Sequence, residues 1–106
     1  SELKPLINSL QEQFNLKEQL ETELETMWPA IQSKNRAIQE SEAHLNELKN
    51  TGQIREYNQA VPAHNQLIQE YEALRLQYNQ KISQFNQAVE EYNRILNLIQ
   101  PGQNIK

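Results

Sequence analysis

Apolar residues recur along the chain every seven positions, in two blocks. In the first block one series reads Leu3, Leu10, Lys17, Leu24, Ile31, Ile38, Leu45. A second, three positions on, reads Leu6, Gln13, Leu20, Met27, Lys34, Ser41, Leu48. An offset of three is that of the a and d positions of a heptad, which lie side by side on one helix face. Ile7, Phe14 and Trp28 widen this stripe at e. In the second block the a series is Ile54, Val61, Ile68, Arg75, Ile82, Val89, Leu96, and the d series is Tyr57, His64, Tyr71, Tyr78, Phe85, Tyr92, Ile99. Ala60, Leu67, Leu74, Ala88 and Ile95 widen it at g, with Lys81 the exception. Nothing alternates with a period of two, so strands are not expected.

The pattern predicts two helices, over 3–50 and 53–99, joined by a turn at 50–52 and followed by a C-terminal tail, 100–106. Asn50-Thr51-Gly52 is the strongest internal break, because Asn and Gly tolerate the left-handed conformation that ends helices. Pro5 lies just inside the first helix and Pro101-Gly102 just past the second, the usual punctuation of a helical block. Pro29 falls at f and Pro62 at b, both off the seam, and the heptad phase runs through each without a stutter. Each is therefore read as a bend in a continuous helix. The alternative is a break at Trp28-Pro29, giving three helices. Lengths of ~72 Å and ~70 Å, at ~1.5 Å per residue, match well enough for an antiparallel hairpin without ragged ends. In that pairing Ile38 opposes His64, Leu24 opposes Tyr78, Leu10 opposes Tyr92 and Lys17 faces Phe85.

Composition narrows what such a hairpin does. Only 37% of the 106 residues are hydrophobic, below what a large closed core needs. Asn and Gln together number 27 and every acid is Glu, so the exposed faces are rich in neutral amides. One hairpin interface cannot cover both widened stripes, and long exposed apolar strips mark interfaces. The expected fold is all-α: one domain over 1–106, a long antiparallel coiled-coil hairpin assembling into a homodimeric four-helix bundle. With 10 basic and 14 acidic side chains and a net charge of −4, no basic stripe exists for nucleic acid. No apolar run approaches the ~20 residues that cross a bilayer, so direct membrane insertion is not expected. The absence of cysteine excludes a disulfide framework and a thiolate metal site.

No catalytic, cofactor or metal site is expected. His44 and His64 have no second His or Asp at helical spacing, and Glu21, Glu23, Glu25 and Glu90-Glu91 read as solvated helix faces. The residues expected to carry protein interaction are the d-position rings Tyr57, His64, Tyr71, Tyr78, Phe85 and Tyr92, with Trp28, Phe14, Leu67 and Leu74 beside them. Five of these rings are followed by Asn: Tyr57-Asn58, His64-Asn65, Tyr78-Asn79, Phe85-Asn86 and Tyr92-Asn93. Aromatic stripes at helical spacing are usually core, so the rings are read first as the helix–helix seam. The alternative is an aromatic Tyr/Asn groove that captures a helix of a different protein.

The Tyr-Asn heptads over 57–93 resemble coiled-coil segments of secreted or envelope-associated bacterial proteins. That resemblance implies a spacer or oligomerisation element in a bacterial protein. The hairpin layout also resembles the small secreted WxG helical-hairpin proteins. Their Trp-x-Gly belongs at the turn, where this chain reads Lys49-Asn50-Thr51-Gly52-Gln53, and no function is carried over from them.

Overall fold

A computed structural model describes residues 2–100 of the chain. It contains two α-helices, α1 (Leu3–Asn50) and α2 (Ile54–Ile99), and no strand among the described residues. The architecture is an all-α helical hairpin. Of the expected tail, residues 101–106 lie outside the described residues.

The turn explains why the chain reverses where it does. Gly52 has φ +75°, the left-handed conformation that costs a residue with a Cβ about 1–2 kcal/mol. Its N–H donates to the Lys49 carbonyl at 3.2 Å, and the Gln53 N–H donates to the Leu48 carbonyl at 2.9 Å. These two bonds are the Schellman closure, which satisfies carbonyls that the helix end would otherwise leave unpaired. Thr51 adds a side-chain bond from Oγ1 to the Glu47 carbonyl at 2.9 Å. The second helix begins at Ile54, one residue later than the sequence suggested. The Gln53 carbonyl accepts the first bond of α2, from Tyr57 N–H at 2.9 Å, so Gln53 stands in the capping position. Asn50 is the last residue of α1, as the expected helix over 3–50 had it.

Both internal prolines sit inside unbroken helix. The carbonyls that lose their donors belong to Glu25 and Asn58, four residues upstream. Both residues are exposed, as are Pro29 and Pro62, so water can take the place of the missing N–H. The heptad places each proline on the outer face, which is why the helices tolerate them. A three-helix arrangement broken at Trp28-Pro29 is not what forms.

Contacts group the described residues into two compact units, each made of one segment from either helix: 2–26 with 79–100, and Met27–Tyr78. In the first, Leu20, Ala88 and Ile95 are buried. In the second, Ile31, Leu45, Leu48 and the ring of His64 are buried. On α1 the buried positions are a and d. On α2 they are d and g, whereas Ile54 and Arg75, at a, are exposed. The three-position stripe of α2 thus turns its d/g side toward α1. Large d-position rings need space, and Ala88, with 2% of its surface exposed, gives close approach beside them.

Replacing Pro29 with Ala restores a helix hydrogen bond at an exposed position. Thermal and urea unfolding followed by far-UV circular dichroism should show Pro29→Ala stabilised by roughly 1–3 kcal/mol. A loss of stability would mean that Pro29 has a structural role the continuous helix does not explain.

Candidate functional site

The aromatic ladder of α2 is positioned by the heptad itself, which returns a d residue to the same face every two turns. Tyr57, Tyr71, Tyr78, Phe85 and Tyr92 are half-buried, His64 is buried, and Leu67 and Leu74 at g are half-buried. Phe14 and Trp28, expected in the seam, retain 40% and 47% of their surface exposed. They lie over its edge: Trp28 packs on Tyr78 with ring centroids 5.7 Å apart and planes at 42°. Phe14 packs on Tyr92 at 6.2 Å and 48°. These tilted geometries suit the ring quadrupoles. The reason for their exposure is position: an e residue covers the flank of a two-helix contact, and nothing further packs outside it.

Two ring contacts lie beside the layers expected from the heptads. Tyr78 meets Trp28, one turn along α1 from Leu24, and Tyr92 meets Phe14, one turn from Leu10, which lines the same groove. Helical side chains lean toward the N-terminus of their own helix. In an antiparallel pair the α2 rings therefore lean toward the loop, while α1 side chains lean away from it. Long side chains accordingly meet partners nearer the loop along α1. His64 behaves likewise: its Nδ1 lies 2.8 Å from Ser41 Oγ, one turn closer to the loop than Ile38. Lys17 keeps its expected neighbour. Its ammonium is 5.9 Å from the Phe85 ring centre and 5.3 Å from that of Phe14, within cation–π range.

Polar cross-helix pairs complete the contact. Lys81 Nζ donates to Glu23 Oε2 at 2.6 Å in the first unit. Lys34 Nζ donates to Glu70 Oε2 at 3.1 Å in the second. Glu23 and Lys81 both occupy g, and in antiparallel coils like flanks meet. That rule was available in the sequence and would have found the pair. The bond from Lys81, helped by one from Gln19, holds the Glu23 carboxyl below its usual 4.5. Lys17 is raised above its ordinary value, chiefly by its bond to Glu18 at 2.8 Å. The Glu91 carboxyl is also lowered, by its bond to Arg94. Such lowered carboxyls are anions at neutral pH, the opposite of a carboxyl tuned to donate a proton.

Among the described residues no group of three or more His, Cys, Asp or Glu side chains converges to hold a metal ion. His44 is exposed and far along the chain from His64. No helix among the described residues is long and apolar enough to cross a membrane. Comparison with known protein families, with characterised proteins and with solved structures finds no match. The functional reading therefore rests on the geometry of this chain.

Two outcomes follow from these contacts. Tyr78→Ala should cost roughly 1.5–2.5 kcal/mol, about half the loss for a fully buried aromatic, because its ring is shared between Trp28 and solvent. Trp28 emission should shift red in the same variant, while Asn79→Ala, at an exposed flank position, should leave both readouts near the parent values. An unchanged melting temperature for Tyr78→Ala would remove the ring from the packing.

The second outcome concerns acid. A carboxyl whose folded pKa is depressed contributes stability that is fully present above its unfolded value and lost as pH falls through the folded one. The melting temperature of the parent should therefore drop on acidification below 4.5, and Glu23→Gln should remove part of that drop. Added salt should shrink the difference, since the pair is partly in water. Identical acid limbs for parent and variant would show that Lys81 does not favour the ionised form.

Proposed function

We propose that this protein is a structural module: an oligomerisation or spacer coiled coil without catalytic activity, working as a homodimeric four-helix bundle. The observation that carries the reading is apolar surface left in water. In the first unit Ile7, Phe14 and Leu16 are 48%, 40% and 41% exposed, and in the second Trp28 and Leu76 are 47% and 60% exposed. Among the described residues no large side chain is fully enclosed. A two-helix contact gives each helix only one partner, so the flanking e positions keep water on their outer side. A second hairpin laid on these flanks removes that water, at about 25 cal/mol per Å² of apolar area, and builds the four-helix arrangement in which every helix has two neighbours.

The fold's inventory agrees with a role in assembly. Of the carboxylates that draw attention in the sequence, Glu23 and Glu91 are paired with Lys81 and Arg94, and Glu21 with Lys17. Capture of a foreign helix by the Tyr/Asn ladder is less well supported. Phe14, Trp28 and Lys17 of the same chain already lie against Tyr92, Tyr78 and Phe85, and an incoming helix would have to displace them.

Size-exclusion chromatography with light scattering should return a mass twice 12.5 kDa at micromolar concentration. A cooperative melt from a species of 12.5 kDa at every concentration would overturn the dimer. A chain that gains order only on adding a second protein would favour helix capture.

A further inference from the structure

The helix ends at the turn and the helix ends away from it are built differently. Lys49 stands in the last turn of α1 and Glu56 in the first turn of α2, each opposite in sign to the dipole end it adjoins. At the other two ends, among the described residues, the first turn of α1 holds no acidic side chain and the last turn of α2 no basic one. Lys4 places a cation in the first turn of α1, where the helix dipole is positive. The turn, with its Schellman bonds and matched charges, belongs to the second unit, Met27–Tyr78. The unmatched ends belong to the first, 2–26 with 79–100.

Apolar cover divides the same way. The second unit buries Ile31, Leu45 and Leu48, whereas the first buries Leu20, Ile95 and the single methyl of Ala88. Among the described residues, Leu3, Ile7, Phe14, Leu16 and Leu98 of the first unit are 40% or more exposed, against three such large apolar side chains in the second. Connectivity adds a third difference. The second unit is one continuous stretch whose halves meet across a tight turn. The halves of the first are joined through the whole of it. Pairing those halves first would close a loop of about fifty residues, and loop closure costs entropy that grows with length. With the second unit folded, that loop is already closed. The second unit thus does not need the first, whereas the first needs the second.

We infer that the hairpin has a second, partly open state, in which 2–26 and 79–100 part from each other in one step while Met27–Tyr78 stays folded. The step is concerted because the buried side chains of each segment are covered by the other. Helices of this length owe most of their stability to packing and not to propensity, so segments that part also lose their helical hydrogen bonds. Opening sets both seam faces in water, Leu20 on one segment and Ile95 on the other. In this state an incoming helix meets an uncovered seam. Opening of this kind is a property of the single chain and does not depend on the dimer.

Hydrogen exchange of the full chain, read amide by amide by NMR, tests this. In the parent, amides between Leu10 and Leu24 and between Ile82 and Ile95 should share one level of protection. That level should lie roughly tenfold or more below the protection of amides between Ile31 and Leu45 and between Tyr57 and Leu74. Two matched variants then fix the order of opening. Ile31 and Ile95 are 3% and 2% exposed, and an isoleucine-to-valine change at such a site speeds opening roughly two- to tenfold while the chain stays folded. Ile31 remains covered in the partly open state, so Ile31→Val should speed exchange in the second unit and leave the first unchanged. Ile95 is uncovered in that state, so Ile95→Val should speed exchange in both units by the same factor. Equal acceleration of both units by both variants would mean that the hairpin opens all at once, and would overturn the partly open state. So would protection that falls off smoothly toward Leu3 and Ile99. The reverse pattern, with Ile31→Val reaching both units and Ile95→Val only the first, would overturn the order of opening.

Discussion

The structure depends on one constraint: two helices in contact give each other a single line of burial. Everything away from that line is in water, whatever its chemistry. The chain answers with a narrow apolar stripe on α1, a broader one on α2, and amides over much of the remainder. Side chains on the line are well covered, such as Leu20 and Ile31 at 3% exposure. One position further round, coverage falls sharply, as Phe14 and Trp28 show. The tension between stripes wider than the contact and a contact that cannot widen makes association the functional reading with the most support.

Polar residues within the line do not contradict this economy. Lys17 at a occupies space between Phe14 and Phe85, where its stem buries and its charge meets ring faces and the carboxylates of Glu18 and Glu21. His64 is buried, but Ser41 Oγ sits within hydrogen-bond distance of it. Among the described residues no buried side-chain N or O lacks a partner. Pairs of this kind contribute less through their own energy than through what misalignment would cost. A sliding hairpin would leave His64 or Lys81 facing apolar neighbours, and an unpaired buried polar group is expensive.

The prolines illustrate the same logic on the outer surface. A proline on the seam would remove a hydrogen bond where no water can replace it. At f and b the loss falls on exposed carbonyls, and the helices continue. Gly52 is the reverse case, a residue whose backbone freedom the turn requires at φ +75°. Exposed and enclosed positions therefore impose different rules on the same backbone.

Periodicity alone determined the helical class, the two long elements and their boundaries to within a residue, because a heptad repeat is a local property of the chain. It also identified d on α2 as the line of rings. Two features were decided only by tertiary packing. The rotation of α2 about its own axis chose d and g over a, which a stripe three positions wide leaves open. That one helix contact cannot cover stripes this wide was legible in the repeat, but only the packing decided that Phe14 and Trp28 on α1 keep their flank in water while Ala88 and Ile95 on α2 are covered.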